Sequence, residues 1–152
     1  MERRSSREAI VVGTDGSETA QRAVEEALRL AKALECPLHI VSAFEPVRGA
    51  RIAGAPEAAA EVWAPLPDAD VRRILDEAAA AARIAGADAE THALHKGAAD
   101  ALLDVAMEVG ASLIVVGSQG MHGAKRFVLG SVPNTVSHRA NCNVLIVSTD
   151  QP

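Results

Sequence analysis

Gly117-Ser118-Gln119-Gly120, nine further residues, and then Gly130-Ser131-Val132 form the stretch on which the reading of this chain turns. Directly before it stands the apolar run Leu113-Ile114-Val115-Val116, which reads as a buried strand. Directly after it, Pro133-Asn134-Thr135-Val136-Ser137-His138-Arg139 predicts a helix, with Ser131 at its cap and proline in its first turn. A strand, a glycine-spaced loop and a helix start together form a backbone suited to holding phosphate. Glycine lets amide N–H groups come close, and the helix start adds unpaired donors and the positive end of a dipole. A single glycine would be plain turn chemistry, but three at this spacing, ending on a capped helix, point to phosphate. The spacing Gly-x2-Gly-x9-Gly-Ser differs from both common nucleotide patterns, Gly-x4-Gly-Lys-Ser/Thr and Gly-x-Gly-x-x-Gly.

Outward from this stretch, strand and helix alternate. Residues 9–14 are a continuous apolar run of the buried, parallel type. Residues 18–34 follow as a helix, with Ala20, Val24, Ala27, Leu28, Ala31 and Leu34 on one face. A second strand spans 38–44, and a second helix 68–85 is capped by Asp68 or Asp70 with Val71, Leu75, Ala78, Ala82 and Ala85 inward. A weaker third strand at 89–95 suits a sheet edge. A third helix at 98–109 runs through Ala99, Leu102, Leu103 and Ala106, and Val144 to Val147 form the last strand. Such alternation means parallel strands joined by crossovers, hence a layered α/β fold. Residues 45–67 break the pattern with four prolines and two glycines, and a segment of that length without a core pattern predicts a lid or a disordered stretch. Its Trp63 is the sole tryptophan.

Bulk properties bound the function. One domain of 152 residues is expected over 9–150, behind a disordered polar tail at 1–8. That tail has no apolar stretch of signal-peptide type, and no run approaches the ~20 residues of a membrane span, so a cytoplasmic location without membrane contact is expected. A net charge of −5 and 2% aromatic residues argue against a nucleic-acid binder, which needs basic faces and stacking platforms. The core must be aliphatic.

In Val11-Val12-Gly13-Thr14-Asp15-Gly16-Ser17, in the glycine motif, in Pro133 behind it and in the closing Asn143-Val144-Leu145-Ile146-Val147, the sequence resembles the universal stress proteins of the nucleotide-binding class. The resemblance runs over residues 8–148. It implies a Rossmann-like, adenine nucleotide alpha hydrolase-like α/β/α fold with a five-stranded parallel sheet in the order 3-2-1-4-5. Ligands of such sheets bind at the carboxyl ends of strands where the order reverses, which here lies between the first and fourth strands. By that resemblance the nucleotide site comprises Gly13, Thr14 and Asp15, the backbone of Ala43 against adenine, and Val116, Gly117, Gly120, Gly130, Ser131 and Val132. A carboxylate beside a polyphosphate is repulsive unless a cation intervenes, so Asp15 is a candidate Mg²⁺ contact and otherwise a turn former. His122, Lys125 and Arg126, inside the nine-residue loop, are either solvated or supply a local positive field.

No Ser-His-Asp or Cys-His arrangement accompanies Asp15, so the expected role is binding rather than catalysis. The expectation is an adenine-nucleotide-binding stress-response protein, with ATP as ligand, working as a homodimer through Val144, Leu145, Ile146 and Val147. The alternatives are cyclic AMP as ligand, a slow ATPase or adenylating enzyme, and a nucleotide-free dimeric module. No structural metal site is expected, because His92 and His95 point to opposite faces of one strand and His39 and His138 have no identifiable partner. Cys36 and Cys142 each precede a strand, and the implied strand order keeps them too far apart for a disulfide.

Overall fold

A computed structural model of the protein describes residues 8–44, 69–119 and 129–148. Its elements are β1 (Ile10–Gly13), α1 (Glu18–Leu34), β2 (Leu38–Ala43), α2 (Ala69–Ala85), β3 (Ala89–Leu94), α3 (Ala98–Val109), β4 (Leu113–Gly117), α4 (Ser131–Arg139) and β5 (Asn143–Val147). The strands form one parallel sheet in the order β3-β2-β1-β4-β5. The expected fold and strand order are thus both present.

Two cores explain why the strands are apolar without interruption. Successive side chains point to opposite faces of a sheet, and here both faces are covered. Ile10, Val12, Leu38, Ile40 and Val115 pack under α1 and α2 with Ala23, Val24, Leu28, Val71 and Leu75. Val11, Val41, Ile114 and Val116 pack under α3 and α4 with Leu102, Val105 and Val136. The buried apolar residues among those described include no aromatic, as the composition requires.

Local chemistry sets the ends of the helices. Ser17 caps α1, its Oγ accepting from the Ala20 amide at 3.1 Å, and Glu35 closes the helix in the left-handed region at φ 52°. Two sequence expectations are corrected and a third is narrowed. Leu34 is 64% exposed rather than inward, because the last turn of α1 runs past the packed face. Asp70 lies within the first turn of α2 and not at its cap, while Asp68 lies outside the described residues. Gly130, not Ser131, is the cap of α4. Its carbonyl accepts the Asn134 amide at 3.1 Å, which makes Ser131 the first helical residue and Pro133 the third.

Both cysteines are free. Cys36 belongs to the α1/α2 core and Cys142 packs against the α3/α4 core, so the sheet itself separates them. Burial raises the pKa of each thiol. The expected tail at 1–8, apart from Glu8, and the expected lid at 45–67 lie outside the described residues.

Candidate functional site

β1 and β4 are neighbours, yet the chain leaves them on opposite faces of the sheet. α1 follows β1 on one face, whereas α4 follows β4 on the other. Their carboxyl ends therefore part and leave a crevice.

At the first lip, the Thr14 amide donates to the Val41 carbonyl at 2.9 Å and fixes the end of β1 to β2. The Ser17 amide donates to Asp15 Oδ1 at 2.9 Å, and the Gly16 amide to Thr14 Oγ1 at 3.1 Å. Asp15 is therefore a turn former whatever else it does. Gly16 has φ 78°, and a Cβ there would stand 2.7 Å from Ile74 Cδ1, so conformation and space both require glycine. At the second lip, the Ser118 amide donates to the Val147 carbonyl and the Gly130 amide to the Ser118 carbonyl, each at 2.9 Å. The second of these bonds closes the glycine loop at its base. It also occupies the Gly130 N–H, so the donors left at the helix start are the amides of Ser131 and Val132, since Pro133 has none.

These lips enclose a cavity of about 460 Å³. Gly13, Thr14 and Asp15 line it from the end of β1, and Val41 and Ala43 from β2. Val116 and Gly117 come from β4, and Gly130, Ser131 and Val132 from the start of α4. Every sequence-predicted site residue thus meets in one cavity except Gly120, which lies outside the described residues together with His122, Lys125 and Arg126. Sequence reasoning missed the floor, made by Ala20 of α1 and by Ala98 and Leu102 of α3. Leu102 lies so close to Gly13 that a Cβ there would be 3.1 Å from its Cδ1, which is why β1 ends on glycine. The available signal was Gly97, the cap of α3, since every helix that follows a strand of a parallel sheet starts at this same end.

The cavity joins an apolar floor to the Asp15 carboxylate at one lip and to the Ser131 and Val132 amides of the helix start at the other. A flat, partly apolar ring with a phosphate tail fits that combination, and the volume falls within the roughly 300–1,000 Å³ of small-molecule sites. One carboxylate beside a bound phosphate would also suit Mg²⁺, which takes one or two protein carboxylates and completes its shell with phosphate and water.

The histidine reading is corrected. His39 does have a partner: its Nδ1 lies 2.9 Å from His92 Nε2, with Glu90 Oε2 3.9 Å away. The register that sets His39 opposite Glu90 and Val41 opposite His92 brings the three to one face. This cluster stands apart from the cavity.

Comparison with known proteins places the chain in a family. The pattern of the universal stress protein family matches residues 6–148. The universal stress protein Rv1636 of Mycobacterium tuberculosis is 39% identical over 147 residues, which is 95% of this chain and 99% of that one. A crystal structure of a universal stress protein in complex with cAMP has 36% identity and a TM-score of 0.71, covering 96% of this chain and all of that one, 100%. The universal stress protein from Archaeoglobus fulgidus in complex with dAMP has 27% identity and a TM-score of 0.64, covering 91% and 96%. On sequence and on fold alike, the chain belongs to the universal stress protein family.

Proposed function

We propose that this chain is a regulatory protein of the cytoplasmic stress response that binds an adenine nucleotide, ATP in the first reading, in the crevice between β1 and β4. The observation that carries the proposal is the convergence of Gly13 to Asp15, Ala43, Gly117 and Gly130 to Val132 on one cavity at the strand-order reversal. Adenine lies against the backbone of Ala43 and the apolar floor, and the phosphates lie at the amides of Ser131 and Val132. With ATP, a Mg²⁺ held by Asp15 offsets the repulsion between carboxylate and phosphates. Asp15 is the one titratable side chain among the described lining residues, so the nucleotide acts as a ligand that the protein senses rather than a substrate it turns over.

One observation favours a second reading. The relative at 36% identity is complexed with cAMP, and a single cyclic phosphate, with one negative charge, repels Asp15 less than a polyphosphate does. Denaturing the freshly purified protein and identifying released nucleotide by mass spectrometry tests both. ATP supports the first reading and cAMP the second. Empty protein that also fails to bind either in calorimetry defeats the proposal.

The active form we propose is a homodimer through β5. This edge strand is paired with β4 alone, and Val144 to Val147 are only half-buried, with no charged residue or proline to blunt the edge. Ile146→Lys is expected to give monomer or aggregate in light scattering, and an unchanged dimer would move the interface elsewhere.

A further inference from the structure

We propose that His39, Glu90 and His92 form a binding site for a divalent transition metal, with Zn²⁺ the best fit, independent of the nucleotide crevice. The three side chains come from adjacent parallel strands and share the sheet face that α3 covers only in part. Their ligand atoms all lie within 4.8 Å of one another. Residues four apart at ~3.3 Å rise put His39 about 13 Å along β2 from Ala43, toward the amino end of the sheet and away from the cavity.

Their neighbours on the same face are Val41, Ala43 and Leu94, the ordinary occupants of such positions. Two imidazoles and a carboxylate therefore interrupt an apolar surface. Two nitrogens and one oxygen form a ligand set of the zinc type, and they leave a fourth position for water or a further ligand. Mg²⁺ and Ca²⁺, which take oxygen, are disfavoured by the same set.

The geometry needs little movement. Two nitrogens on one tetrahedral zinc stand about 3.3 Å apart at Zn–N bonds of ~2.0–2.1 Å, against 2.9 Å in the ring-to-ring hydrogen bond here. His92 is on the edge strand and Glu90 is 70% exposed, so both can adjust, while His39, 11% exposed, is the fixed member. Asp88 and Glu108 also act electrostatically on His39, so the pocket carries a negative field that attracts a cation.

Competition against a chromophoric zinc chelator, on the full chain freed of nucleotide, tests the site. The expected result is one Zn²⁺ per chain, with affinity falling about a hundredfold in His92→Gln and about tenfold in Glu90→Gln. Co²⁺ should add the visible absorption of a four-coordinate site to the wild type and not to His92→Gln. Removing the other histidines together, His95→Gln, His122→Gln and His138→Gln, should leave zinc affinity unchanged. Both key substitutions lie at the sheet edge, and circular dichroism verifies the fold of each. A His92→Gln chain that binds Zn²⁺ as tightly as wild type overturns the proposal, as does a wild type that binds none at micromolar metal. Nucleotide affinity of His92→Gln should match wild type, which keeps this test separate from the nucleotide reading.

Discussion

β2 carries two surfaces of opposite construction on one face. At its carboxyl end, Ala43 borders a cavity whose helix-start donors are the main-chain amides of Ser131 and Val132. Four residues earlier, His39 belongs to a cluster made wholly of side chains. The first kind of site tolerates many side chains but not a bulky or charged one where glycine leaves room. The second depends on each side chain and hardly on the backbone between them. Substitutions should therefore affect the two sites in opposite ways.

The sharpest test is Gly130→Asp. A Cβ at Gly130 meets only ordinary contacts, 3.6 Å from Pro133 Cδ and the Ser118 carbonyl oxygen, and its φ of −59° suits any residue. Aspartate is moreover a better helix cap than glycine by a few tenths of a kcal/mol, so stability should hold or rise slightly. Its carboxylate would take the Val132 amide for itself and repel phosphate by about 4 kcal/mol at ~4 Å and an effective dielectric of 20. Calorimetry should show nucleotide affinity falling more than about a hundredfold, with zinc binding unaffected. Unchanged nucleotide binding by the folded variant would reduce the glycines to turn residues.

Leu102→Ala probes the floor instead of the lips. Leu102 is 2% exposed, and its truncation should lower stability by about 3 kcal/mol in urea unfolding. Nucleotide affinity should fall with it, because the apolar wall recedes. A stable variant with normal affinity would mean that the floor does not meet the ligand.

Gly16→Ala separates conformation from contact. A side chain at φ 78° costs about 1–2 kcal/mol, to which the approach to Ile74 adds. Unfolding should show that loss without the selective collapse of binding expected at Gly130.

The smallest effect is expected at Ala43→Ser, where a backbone contact should leave affinity within about twofold. A large loss there would break the comparison, since the side chain and not the main chain would then be read.

The bounds of α1 and α3 match the helical periodicity, and the strands match their apolar runs to within a residue or two at each end. The lips were legible in local turn and cap chemistry, at Val11 to Ser17 and at Gly117 with Gly130 to Val132, and their meeting in one crevice followed from the strand order that the family resemblance implies. Where local signals compete, the reading failed. Ser131 looks like a cap and Gly130 does not, yet the bond from the Gly130 amide to the Ser118 carbonyl draws the chain into the helix one residue earlier.

Sequence alone determined the alternation of elements, the aliphatic core and the two lips, because each depends on residues within a few positions of one another. The floor under Gly13 and the pairing of His39 with His92 were decided only by tertiary structure. Leu102 lies far along the chain from Gly13, and 53 residues separate the two histidines. A helix face or a strand face can be read from periodicity, but which faces meet depends on strand order and register. Those are set by packing over the whole sheet, and no local stretch records them.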